Sequence, residues 1–161
     1  MDLGGERVRE RRLARSGRAA HDDERRCWNP VHAARSIIDL SPFGHIDLRV
    51  ADLDTAFAFY ETLLPALGFT ATHHGDAWKV WASPEGQYVG LTESSGHVAN
   101  ENRIAFRLAS NDEVDRLAAV ARDAGAVGLS GPKPMPYGPG YYAAYFDDPS
   151  GNRLELYVRP G

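Results

Sequence analysis

The chain has 161 residues, 43% of them hydrophobic and 25% charged, with a formal net charge of −4. That length suits one well-packed domain or two small repeated modules. No apolar run approaches the ~20 residues a membrane-spanning helix needs, and the N-terminus lacks the apolar core of a secretory signal.

The charge is unevenly divided. Residues 1–40 hold nine Arg against seven Asp or Glu, and residues 41–161 hold nine Lys or Arg against fifteen Asp or Glu, so +2 is followed by −6. The first segment, "GERVRERRLARSGRAAHDDERRC", interleaves both signs without a sustained apolar stripe, and an arginine-rich flexible extension is expected over 1–40. The acidic remainder argues against nucleic acid as a partner, because phosphate contacts need clustered Lys and Arg. The one cysteine, Cys27, can form no intramolecular disulfide, and no CxxC or Cys/His zinc cluster occurs, so a cytoplasmic protein is expected.

From Ser41 onward the pattern changes to short strands and two amphipathic helices. "HIDLRV" (45–50) alternates, with Ile46, Leu48 and Val50 on one face and His45, Asp47 and Arg49 on the other. Asp52 is placed to cap a helix through "LDTAFAFYETLL", whose Phe57, Tyr60 and Leu64 recur at helical spacing, and Leu67-Gly68-Phe69 marks its exit. "AWKVWAS" and "QYVGLTES" read as strands around a Pro84-Glu85-Gly86 turn, with Trp78 and Trp81 on opposite faces. His73 and His74 fall in a turn of this reading.

The same order then recurs. "RIAFRL" (103–108) alternates, with Arg103 and Arg107 on its polar face. Ser110-Asn111-Asp112-Glu113 is a capping box for a helix burying Val114, Leu117, Ala118 and Ala121. Gly125 fits the left-handed position after that helix. "LSGPKPMPYGPGYY", carrying Met135 and Tyr137, reads as a lid or as a plain connector. "YYAAYFDDPSGNRLELY" (141–157) is a hairpin with turn chemistry at Asp148-Pro149-Ser150-Gly151-Asn152. Glu155 stands in the middle of its second strand, on the face shared with Arg153 and Tyr157.

The expected fold is therefore α+β: two βαβββ modules, 43–95 and 102–158, within a domain of residues 41–161. Each helix must cover the apolar face of its own sheet. The polar faces, with His45 and Asp47, Arg103 and Arg107, and Glu155 and Tyr157, then line a central cleft.

This arrangement resembles the vicinal-oxygen-chelate superfamily, which includes glyoxalase I, fosfomycin-resistance transferases, extradiol dioxygenases and bleomycin-resistance proteins. The matching stretches are "HIDLRVADLDTAFAFYETLLPALGF", "RIAFRLASNDEVDRLAAVARDAGA" and the "YYAAYFDDPSGNRLELY" hairpin. The resemblance implies a curved mixed sheet, a small-molecule substrate in its cleft and a homodimer, with the cleft built within one chain or by exchange of modules. It also implies a divalent metal (Ni, Zn, Mn or Fe). Carried over by position, its ligands are His45 and Glu155, while Gly90 and Arg103 occupy the other two ligand positions and leave the set incomplete. His97 could join them if its loop folds inward.

Two functions follow from the resemblance. One is a metal-dependent lyase or isomerase of the glyoxalase type (lactoylglutathione-lyase-like), with Glu155 catalytic. The other is a metal-free binding or sequestration protein of the bleomycin-resistance type, with Arg103 paired to Glu155 in the metal's place. In both, Arg103, Tyr157, Tyr137, Met135 and Asp47 are the expected substrate contacts.

Overall fold

The computed structural model of the chain describes residues 43–159; the expected extension over 1–40 lies outside the described residues. Ten elements follow one another: β1 (His45–Val50), α1 (Leu53–Ala66), β2 (Ala71–His74), β3 (Trp78–Ala82), β4 (Tyr88–Glu93), β5 (Arg103–Arg107), α2 (Asn111–Asp123), β6 (Val127–Pro134), β7 (Tyr142–Asp147) and β8 (Arg153–Val158). They form two four-stranded mixed sheets, ordered β1-β4-β3-β2 and β5-β8-β7-β6. In each, the first strand pairs parallel to the last and the remaining pairs are antiparallel. The repeat expected from the sequence is present: strand, helix and three strands, twice.

Local chemistry sets the helix ends. The Asp52 carboxylate accepts a hydrogen bond from the Thr55 amide at 2.7 Å, and Glu93, from β4, accepts one from the Leu53 amide. Ser110 caps α2 by accepting from the Glu113 amide, and Glu113 returns a bond from the Ala109 amide at 2.8 Å, so the capping box reaches one residue further back than its usual form. Gly125 ends α2 at φ 105°, as its position suggests.

The helices cover their own sheets and touch each other, α1 against β3 and β4, α2 against β6, β7 and β8. Their buried faces join one core that includes Trp81, Val89, Leu154 and Leu156. On α1 the buried stripe is Leu53, Ala56, Phe59, Tyr60, Leu63 and Leu64, and Phe57 is only partly buried at its edge. Each fully buried Leu or Phe contributes about 1.5–3 kcal/mol of transfer free energy.

Polar groups tie the two modules together at the β7–β8 turn. Asp148, 1% exposed, accepts from the buried Tyr60 hydroxyl at 2.9 Å and from the Ser150 amide, the Asn152 amide and the Asn152 side chain, each at 2.8 Å. Ser150 and Asn152 reach back in turn, to the Ala51 amide and the Arg49 carbonyl.

Two expectations change. His73 and His74 are in strand β2, exposed and paired with β3, because Ala71–His74 lies in register with Lys79–Ala82. The start of the Pro/Gly-rich stretch is strand β6, which follows β7 through register shifts; only its tip, residues 135–141, is a loop. There the Met135 amide bonds the Tyr141 carbonyl and the Tyr141 amide bonds Gly138.

Candidate functional site

On the polar face of the second sheet, register places Ala105 of β5, Glu155 of β8 and Tyr145 of β7 side by side. Glu155 is 6% exposed. Its Oε1 accepts a hydrogen bond from the Tyr141 hydroxyl at 2.6 Å, and its Oε2 lies 3.8 Å from Arg103 Nη1. The guanidinium of Arg103 stacks over the Tyr145 ring at 4.7 Å and remains 42% exposed.

Both neighbouring phenols respond to this setting. Burial, then the hydrogen bond to Glu155, hold Tyr141 well above its ordinary value. Burial, then the negative charge of Glu155, push Tyr145 up to about 12. The Tyr145 hydroxyl is buried and makes no well-formed hydrogen bond, although the Glu155 carboxylate is its neighbour. Beside that carboxylate it stays protonated. Beyond it an aromatic wall continues: Tyr157 stacks on Tyr141 at 5.4 Å, and Tyr137, 61% exposed, meets Tyr141 edge-on at 5.4 Å.

The ion pair between Arg103 and Glu155 is present as the sequence suggested. The cause of Glu155's burial differs from the expectation. An opposing polar face was expected to enclose it, yet Tyr141, Tyr145 and Arg103 all belong to its own module.

The first sheet presents a different face. His45 stacks flat on Tyr88, ring centroids 4.5 Å apart, and its Nε2 is 3.6 Å from Asp47 Oδ2. Gly90 is opposite Asp47 in register. A Cβ built on Gly90 would sit 2.5 Å from Asp47 Oδ1, so the missing side chain is what gives the Asp47 carboxylate its place. Trp81 is in the core, and Trp78 shares a face with Val80 and Gly90. His97 is half-buried, its Nε2 closed off from solvent with no partner.

These positions decide how well a metal fits. Of the four ligand positions given by the resemblance, Gly90 has no donor, and Arg103 is a permanent cation without a free lone pair. His45 pairs with Asp47, and Glu155 with Tyr141 and Arg103. No cluster of three His, Cys, Asp or Glu side chains able to hold a metal ion occurs among the described residues. The donor set at these positions, among the described residues, does not fit a resident divalent ion. No helix among these residues is long and apolar enough to cross a membrane.

Sequence reasoning missed Tyr141, Tyr145 and Asp148. Alternation could have found the first two, since Tyr141, Ala143 and Tyr145 share a parity in the strand before Glu155. Asp148 was read only as turn chemistry.

Paired βαβββ modules with a carboxylate on the closing strand define a class of small-molecule-binding proteins, and the comparisons agree. The chain belongs to the Glyoxalase/Bleomycin resistance protein/Dioxygenase superfamily, whose family model matches residues 43–156. An uncharacterized protein of Pseudomonas aeruginosa is 33% identical over 123 residues, covering 70% of this chain and 84% of its own. A glyoxalase/bleomycin resistance protein from Albidiferax ferrireducens T118 superposes with a TM-score of 0.62 at 25% identity, over 73% of this chain and 98% of that one. A mutant of the fosfomycin resistance protein FosX from Listeria monocytogenes, complexed with Mn(II) and 1S,2S-dihydroxypropylphosphonic acid, gives a TM-score of 0.56 at 25% identity, over 73% and 89%.

Proposed function

We propose that this protein binds a small oxygenated anion on the Glu155 face of the second sheet, without a resident metal, in the manner of the bleomycin-resistance type. One observation carries the reading: both oxygens of Glu155 are already engaged, by the Tyr141 hydroxyl and by the Arg103 guanidinium. An internal ion pair takes the place a cation would fill. The exposed N–H groups of Arg103 receive the ligand's oxygens, and Tyr157, Tyr137 and Met135 border it. If the ligand carries a proton beside a carbonyl, Glu155 is the base placed to take it, with Arg103 stabilising the enolate oxygen.

Metal analysis and thermal shift test this. Ni, Zn, Mn and Fe should leave the melting temperature unchanged, while lactate or propylphosphonate should raise it. A tightly retained stoichiometric metal, lost on Glu155→Gln, overturns the reading.

A metal-dependent lyase or isomerase of the glyoxalase type is the competing function. It draws on His45 and Glu155, the two family ligand positions that the chain retains, and on the likeness to the Mn(II)-bound FosX structure. Assembly follows a related argument. Strands β2 and β6 end the two sheets opposite β1 and β5, and unpaired edges need covering. A C₂ homodimer is the proposed cover, and light scattering showing a monomer at micromolar concentration rejects it. The lone Cys27 fits a cytoplasmic location for such a protein.

A further inference from the structure

A cavity of about 790 Å³ is not centred on Glu155. It lies between β1 and β4 of the first module and β5 of the second. Ile46, Phe69, Val89, Ile104 and Phe106 give it an apolar wall. Arg103 and Arg107, both exposed, stand on its β5 side with the small Ala105 between them. Arg107 spends one N–H on the Arg159 carbonyl and keeps the rest. Glu85 is the one carboxylate in the lining, so the cationic groups outnumber it. A cavity of this size, mostly apolar with a few convergent charges, has the dimensions of a small-molecule site. It meets the polar face through Arg103, which lines it and also lies 3.8 Å from Glu155.

We infer that the ligand is an amphipathic anion, a carboxylate or phosphonate whose apolar chain fills the cavity between β1 and β5 while its head group meets Arg103 and Arg107. The inference deepens the proposed function and rests on Arg103 being a ligand contact there. An all-polar metabolite would leave the apolar wall hydrated. An apolar neutral molecule would leave two guanidinium groups without a partner. Only a molecule with both parts uses the whole lining.

Calorimetric titration of the full chain with butanoate, hexanoate and octanoate is the test, with octan-1-ol and octylamine as head-group controls. Each buried methylene is worth about fourfold in affinity, so binding should tighten about 15-fold for each pair of carbons until the cavity is full. Octanol and octylamine should bind at least tenfold more weakly than octanoate, and Arg107→Gln should cost octanoate about tenfold. Ile104→Trp, which fills the cavity, should abolish octanoate binding and leave lactate unaffected. If that variant does not fold, Ala105→Asp at an exposed position places a repelling charge beside Arg103 and Arg107 and should abolish octanoate binding; lactate should weaken too, because Ala105 lies beside Glu155.

Affinity that is flat with chain length, or equal for octanoate and octylamine, overturns the inference. So does octanoate binding that survives Ala105→Asp. If octanoate fails to bind and sedimentation shows a dimer under the same conditions, a second copy fills the groove and the inference is again overturned. Loss of lactate and propylphosphonate binding with the octanoate series intact would instead count against the polar-face reading alone.

Discussion

The two modules repeat one plan, yet their polar faces are built differently. Register makes Gly90 the counterpart of Glu155, His45 that of Arg103, Asp47 that of Ala105 and Val80 that of Tyr145. In the second module the carboxylate is on the inner strand, next to a small residue on the edge strand. In the first, the carboxylate is on the edge strand and the small residue is inside. The exchange changes the chemistry. Glu155 on β8 is 6% exposed and engaged at both oxygens, whereas Asp47 on β1 is half-exposed with one long contact to His45. An inner strand can bury a carboxylate because neighbours on both sides supply donors. An edge strand leaves it in water. The repeat keeps one scaffold and concentrates the charged network in one half.

The contrast can be broken at several points. The largest effect belongs to Asp148, which serves both halves by accepting from α1 and from its own turn. Asp148→Ala strands a buried hydroxyl and two amides, and urea unfolding should show a loss of about 3–5 kcal/mol. Next come the two carboxylates. Glu155→Ala should cost about 1–3 kcal/mol, because the Tyr141 hydroxyl and Arg103 lose a buried partner, while Asp47→Ala should cost about 0–1 kcal/mol at its exposed site. Equal losses would mean that the two faces are equivalent after all. A double-mutant cycle of Glu155→Ala with Arg103→Ala should show positive coupling, since each removes the other's partner.

A smaller effect sharpens the same point. Gly90→Ala pushes a methyl against the Asp47 carboxylate, which can swing outward, so a cost of about 1 kcal/mol is expected, largely relieved in the Asp47→Ala background. The smallest effect is a pH dependence. Folding raises the Tyr145 phenol from 10.0 to about 12, so between those values the folded chain keeps a proton that the unfolded chain has lost. Stability should therefore be constant in this respect below pH 10 and fall as pH rises through about 12. Tyr145→Phe should flatten part of that slope.

Most of the architecture was legible because alternation and helical periodicity are local signals. The β1, β4, β5 and β8 strands, both helices, their Asp52 and Ser110 caps and Gly125 follow from spacing alone. Strand β2 did not, since Ala71-Thr72-His73-His74 carries no apolar face and exists through its pairing with β3. Nor did β6, where two glycines and two prolines outweigh the strand signal until β7 supplies a partner. At the candidate site, the Arg103–Glu155 pair was legible through the family resemblance, which put both residues at ligand positions. The tyrosines that bury Glu155 were not, because what closes around a side chain depends on a hairpin's register. The cavity between β1 and β5 is a property of how the modules abut, and no single stretch of sequence carries it.

The turn joining β7 to β8 has a kinetic meaning. Its bonds to the first module link residues 88, 99 and 103 positions apart: Tyr60 to Asp148, Ala51 to Ser150, and Arg49 to Asn152. Closing loops of that length carries an entropic cost recovered only when both ends are already in place. The seam should therefore form after the rate-limiting barrier to folding. Substitutions such as Ser150→Ala should speed unfolding while leaving the refolding rate nearly unchanged. The repeat then folds as two halves first and becomes one body last.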